Sequence, residues 1–255
     1  MAGIPSGPLL LVSPHLDDAA LSCSAILERD EPVDVLTVFA GGPEPPQQGW
    51  WDAECGFSSS AESIPARIRE DEAAFAGTPH RRRYLTLLEL QYVDGRRDDE
   101  AEAIAAEVRS WLSTTPDGTV TLPACAGCGF RPTVRRILRA LGRPCHPPQH
   151  PDHLYVRDAA LAALRESQAQ LLLYEELPYL IGGPADGEAT RIAGARDWDV
   201  KPIAVPIDRR VKAERVAAYA TQVGPLSPAE GRLDDPATLP PEERYWFLRR
   251  SSTSA

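Results

Sequence analysis

Two short stretches concentrate the groups that could do chemistry. The first is Pro14-His15-Leu16-Asp17-Asp18, directly after the apolar run Leu9-Leu10-Leu11-Val12 and Ser13. The second is His150-Pro151-Asp152-His153. In each, the outer residues are three apart, so on a helical turn they face one way. His15, Asp18 and His153 together offer two nitrogens and one oxygen. That set leaves a fourth position for water, the pattern of a catalytic zinc site, which acidifies its water and polarises a carbonyl. Asp17 adjoins a ligand but points elsewhere, which makes it a candidate general base. His150 lies one turn from a ligand. It is a candidate either for stabilising a developing oxyanion or for protonating a leaving amine. Asp152 is a candidate partner that holds an imidazole in its working tautomer. The plainer alternative is an Asp that caps a helix after a strand, with the histidines as surface or capping residues.

Strand and helix signals alternate along the chain, which predicts an α/β fold with a largely parallel sheet and helices on both faces. We expect strands at Leu9–Ser13, Val33–Phe39, Tyr84–Glu89, Thr119–Pro123, Leu171–Tyr174 and Lys201–Ile207. We expect helices at Asp18–Arg29, Ile64–Gly77, Asp98–Ser113, Leu154–Ser167 and Arg209–Gln222, with a last short helix at Glu242–Arg250. If the strands are parallel, both clusters lie on one rim, at the carboxyl ends of strands, where ligands bind in open α/β sheets. Ala40 to Ser60 reads as a long Gly- and Pro-rich loop carrying Trp50-Trp51, which could line a pocket or simply pack. We expect one domain over residues 1–255, with an insertion at about 125–149 and a frayed tail at 251–255.

Composition narrows the class. The net charge of −10 argues against nucleic acid or an anionic membrane as main partner. No apolar stretch is long enough to span a bilayer, and the N-terminal MAGIPSGP lacks a basic region, so the expected location is cytoplasmic. Five cysteines, an odd number, fit a reducing compartment better than a disulfide framework. No G-x-G-x-x-G loop follows the first strand, so a dinucleotide has no evident phosphate cradle. The insertion carries Cys125-Ala126-Gly127-Cys128, then Cys145 and His146. These four are a ligand set for a second, structural zinc; unpaired thiols and a redox pair are the alternatives.

Pro14-His15-Leu16-Asp17-Asp18 resembles the PHxDD signature of the PIG-L / LmbE-like family of zinc-dependent deacetylases, and His150-Pro151-Asp152-His153 resembles its HxDH signature. Arg67 to Ala74 is similar to the family's R-x-x-E-x-x-A-A helix, and Tyr174-Glu175-Glu176-Leu177-Pro178-Tyr179 to its YEDLPY stretch. Lys212 to Gln222 and Glu243 to Trp246 resemble two further family elements, so the likeness runs from about residue 9 to residue 247 in family order. Where the family often carries a Gly-rich turn after PHxDD, this chain has Ser22-Cys23-Ser24-Ala25. The resemblance implies a Rossmann-like fold and hydrolysis of an N-acetyl group from an amino sugar or glycoside. It implies zinc on His15, Asp18 and His153, Asp17 as base, His150 as acid or electrostatic partner, and sugar contacts at Arg67 and Asp94. The expected partner is a small N-acetylated sugar or glycoside, such as an antibiotic intermediate. An amidase cutting a larger acyl group from a sugar or thiol-sugar conjugate, and a non-catalytic metal- or ligand-binding module, are the other functions to weigh.

Overall fold

The computed structural model describes residues 3–95, 98–125, 150–165, 167–179, 186–196, 198–229 and 231–250. Among the described residues, seven strands form one sheet: β1 Leu9–Ser13, β2 Asp34–Thr37, β3 Arg81–Tyr84, β4 Thr119–Pro123, β5 Gln170–Tyr174, β6 Trp198–Pro206 and β7 Glu242–Arg250. Their order is β3-β2-β1-β4-β5-β7-β6. The first five are parallel, whereas β7 runs antiparallel to both β5 and β6. The helices are α1 Asp18–Ser22, α2 Ser24–Leu27, α3 Trp50–Glu54, α4 Ser60–Ala74, α5 Asp98–Thr114, α6 Pro151–Ala163, α7 Asp186–Gly194, α8 Arg209–Val216 and α9 Ala220–Leu226.

The central strand β1 is apolar from Leu9 to Val12 because it is covered on both faces. Leu10 and Val12 face a core shared with Ile104 and Val108 of α5, Val156 and Ala160 of α6, and Ile192 of α7. Leu9 and Leu11 face a second core with Ala19 of α1, Ile26 of α2, Val216 of α8 and Val223 of α9. Strand order reverses between β1 and β4: β2 and β3 lie to one side, β4 and β5 to the other. That reversal opens a crevice above the carboxyl ends of β1 and β4.

Four local expectations are corrected. The helix expected over Asp18–Arg29 breaks at Cys23. A carboxylate remote in sequence, Glu243, accepts the Ser24 and Ala25 amides at 2.8 and 2.9 Å and so starts a second helix there. The third strand is Arg81–Tyr84 rather than Tyr84–Glu89. As an edge strand it is blunted by charge: Arg81 pairs with Asp34 and Arg83 with Glu107. The apolar residues after it carry the chain on towards the crevice, with one bridge from Phe39 to Thr86. Glu242–Arg250 is a strand, not a helix. Tyr245 and Phe247 pack in one core, Trp246 and Leu248 in the other, and the ladder is completed by β5 and β6 on either side. Finally, α7 forms where a loop was expected and sets Ala189, Ile192 and Ala193 in the core. Among the described residues, no helix is long and apolar enough to cross a membrane.

Candidate metal centre

The turn after β1 is tied by its own polar groups. The Ser13 hydroxyl donates to the His15 carbonyl at 2.7 Å and accepts the Ala19 amide at 3.1 Å. The His15 amide donates to Asp18 Oδ2 at 2.8 Å. This fixes His15 and Asp18 side by side at the start of α1. His150 caps the N-terminus of α6, Pro151 occupies its first position, and His153 follows one turn in.

Three donor atoms converge there. His15 Nδ1 lies 3.3 Å from Asp18 Oδ2, His153 Nε2 lies 3.3 Å from the same oxygen, and the two nitrogens are 3.3 Å apart. An equilateral face of that edge belongs to a tetrahedron whose centre is about 2.0 Å from each corner, the length of a zinc–nitrogen or zinc–oxygen bond. Each imidazole is turned to the centre by a carboxylate behind it. His15 Nε2 is 3.0 Å from Asp152 Oδ2, and His153 Nδ1 is 3.2 Å from Glu176 Oε1. Asp152 Oδ2 also accepts the Leu90 amide at 3.1 Å, and Glu176 Oε1 accepts the Cys125 amide at 2.9 Å. His150 approaches too: one nitrogen from each of His15, His150 and His153 lies within 4.8 Å of the others. The donors His15, Asp18 and His153 give the tighter triangle.

The buried groups shift one another's charges in opposite directions. Burial opposes charge on Asp18, but the His153 and His15 rings and the His15 amide hold its carboxyl down at about 2. Burial likewise opposes charge on His15, yet hydrogen bonds to Asp152 and Asp18 hold it well above its ordinary value. Asp17 goes the other way. Burial, then the neighbouring Asp18 charge, push it up to about 6, with Arg67 and His15 opposing. His150 is pushed down to about 2 by burial and by the two other imidazoles, and its Nδ1 is buried with no hydrogen-bond partner among the described residues. These surroundings work against the protonated His150 that a proton donor to the leaving amine would require.

Asp17, Asp18, His15 and His150 line one cavity of about 520 Å³. Its polar wall includes Arg67 and Glu89, joined as a buried ion pair, and Gln91, which donates to Glu89. Gln91 Oε1 accepts the Trp51 and Asp52 amides at 2.9 and 3.2 Å and so holds the start of α3. Gly49 makes room for it, since a Cβ there would sit 2.1 Å from that oxygen. The outer wall is apolar: Trp50, Leu177, Pro178, Pro225, Leu226 and Pro228. Trp50 is 58 % exposed at its edge.

Arg67 lines the cavity, whereas Asp94 does not. Asp94 is exposed and outside the lining, and Glu89, carried in by the turn after β3, faces Arg67 instead. Cys125 is buried, with its thiol 3.8 Å from the Pro123 carbonyl. Cys128, Cys145 and His146 lie outside the described residues. Three site residues were missed from sequence: Ser13, Glu89 and Glu176. Glu176 had a signal, because it follows β5 on the same rim as the two histidine clusters.

No curated protein matches the sequence. Among solved structures, the zinc-inhibited form of the teicoplanin deacetylase Orf2 is 25% identical, with TM-score 0.68, covering 97% of this chain and 100% of that one. The A40926 pseudoaglycone deacetylase Dbv21 is 26% identical, with TM-score 0.68, covering 96% and 98%. GalB, a 4-carboxy-2-hydroxymuconate hydratase from Pseudomonas putida, is 12% identical with TM-score 0.51, a likeness of fold alone. The family model described as PIG-L, GlcNAc-PI de-N-acetylase, matches residues 10–164, a span that takes in both histidine clusters and more than half of the 255 residues. On that match the chain belongs to the PIG-L family of de-N-acetylases.

Proposed function

We propose that this de-N-acetylase removes the acetyl group from an amino sugar carried on a larger glycoside, of the antibiotic-intermediate kind on which the similar Orf2 and Dbv21 enzymes act. The observation that carries the reading is the donor triangle of His15 Nδ1, Asp18 Oδ2 and His153 Nε2, with Asp17 buried beside it on the cavity. These residues would hold one zinc ion, which supplies Lewis acidity towards an amide carbonyl and an attacking water. Asp17 takes the proton of that water. A carboxylate raised to about 6 suits a base that works near neutral pH, and it can return the proton to the departing amine. His150, on the cavity beside the donor triangle, presents a neutral imidazole that can hydrogen-bond the oxygen on which charge develops. Asp152 keeps His15 in the tautomer that offers Nδ1. Arg67, held by Glu89 on the cavity wall, serves as a donor to sugar hydroxyls. The apolar outer wall fits an aglycone better than it fits free sugar.

The test combines metal and product analysis. Purified protein should carry zinc, lose activity to a chelator and regain it with zinc. Mass spectrometry should show loss of an acetyl group from N-acetylglucosaminyl glycosides. An active, metal-free enzyme would sink the reading. His15→Ala should lose one zinc equivalent per chain.

A further inference from the structure

We propose that Glu176 is a positioning residue that aims His153 at the metal and strengthens its hold. The proposal rests on the metal reading above. Glu176 lies just beyond β5, on a strand that contributes no donor to the triangle, and is 1 % exposed. Its Oε1 is 3.2 Å from His153 Nδ1. The ring that it meets is wholly buried, so no water competes for that nitrogen. A carboxylate can only accept there, so Nδ1 must carry the proton and Nε2 must present its lone pair. Nε2 is the nitrogen that stands 3.3 Å from both Asp18 Oδ2 and His15 Nδ1.

The carboxylate is itself immobilised. The same Oε1 accepts the Cys125 amide at 2.9 Å. Cys125 has φ +56°, a left-handed conformation that is rare outside glycine, and in it the residue turns its amide to Glu176 from the end of β4. The strand ends on which this depends are locked by the Ala124 amide, 2.9 Å from the Tyr174 carbonyl. Glu176 thus repeats for His153 what Asp152 does for His15, but from the segment after β5 rather than from α6. A negative charge behind a ligating imidazole also raises the basicity of its far nitrogen, and removing such a partner typically weakens metal binding roughly 10- to 100-fold.

Two variants separate orientation from charge. Glu176→Gln keeps an oxygen that can accept from both His153 and Cys125 but removes the charge. Glu176→Ala removes both. Zinc affinity, measured by competition with a chromogenic chelator, should weaken roughly tenfold in Glu176→Gln and up to about a hundredfold in Glu176→Ala. Nitrogen-15 spectra of the neutral His153 ring in the metal-free protein should show the Nδ1–H tautomer in wild type and Glu176→Gln, and its loss in Glu176→Ala. Zinc binding within about twofold of wild type in both variants, or an unchanged tautomer in Glu176→Ala, would overturn the proposal. If Glu176→Ala fails to fold, the zinc affinity of Glu176→Gln decides. If the wild type binds no zinc, the metal reading fails by itself, and the ring spectra still decide for Glu176.

Discussion

The proposed function gives the neighbours Asp17 and Asp18 opposite tasks, and the difference lies in what each faces. Asp18 faces two imidazoles and an amide, which hold its charge; Asp17 faces the cavity and the charge of Asp18. Asp17→Asn should therefore keep its zinc and fold while kcat/KM falls by about a hundredfold or more. Asp18→Asn should instead lose zinc, read as metal content after dialysis. A zinc-free Asp17→Asn would move Asp17 into the ligand set. His150→Ala should slow turnover by roughly 10²- to 10³-fold on good and poor leaving groups alike, as expected for a lost oxyanion donor. Rescue by an activated substrate would show a proton donor instead.

At the level of elements, the helix after the site is held by a buried ion pair. Glu243 on β7 accepts the Ser24 and Ala25 amides, Lys212 Nζ at 2.6 Å and the Tyr245 hydroxyl at 2.6 Å. Glu243→Ala leaves Lys212 buried without its carboxylate and should lower unfolding free energy by about 3–5 kcal/mol, read by urea titration. Adding Lys212→Met should recover part of the loss. His80 is a second clamp. Its Nδ1 accepts the Val33 amide at 3.2 Å, so its Nε2 donates to the Leu27 carbonyl, tying α2 to the start of β2. Burial lowers the pKa of His80 below 6.5, with Arg215 and Arg29 adding to the effect and the Leu27 carbonyl opposing it. A His with a lowered folded pKa gives stability that is complete above its unfolded value and is lost as pH falls through the folded one. The Tm of wild type should drop more steeply than that of His80→Gln between about pH 8 and about pH 5. Equal slopes would mean that another group carries the acid sensitivity.

Over the whole molecule, the strand order decides what the site can hold. The reversal between β1 and β4 puts the candidate donors at the strand ends, and α3 and the Pro225–Pro228 segment add mostly apolar lining to the same cavity. A glycoside whose sugar enters the floor leaves its aglycone against Trp50. Trp50→Ala should raise KM several-fold for a substrate with an aromatic aglycone, with kcat little changed, because the contact is the same in ground and transition states. Kinetics on free N-acetylglucosamine should be unaffected. An equal effect on both substrates would make Trp50 a structural residue.

The clusters around His15 and His153 were legible in the sequence because ligand chemistry needs particular side chains at short spacings, and short spacings survive without a fold. So did the central strands, whose apolar runs are set by burial on two faces. Composition and the alternation of elements were enough for the α/β class. The tertiary structure alone decided which distant groups complete the site. Glu176 reaches His153 because β5 ends beside β4; Glu89 displaces Asp94 because the edge strand stops early at Tyr84. β7 is a strand because β5 and β6 offer it two ladders, and Cys23 breaks a helix because Glu243, far along the chain, captures the next two amides. Local propensity records what a residue prefers when alone; these four outcomes were set by partners that only the folded chain brings within hydrogen-bonding distance.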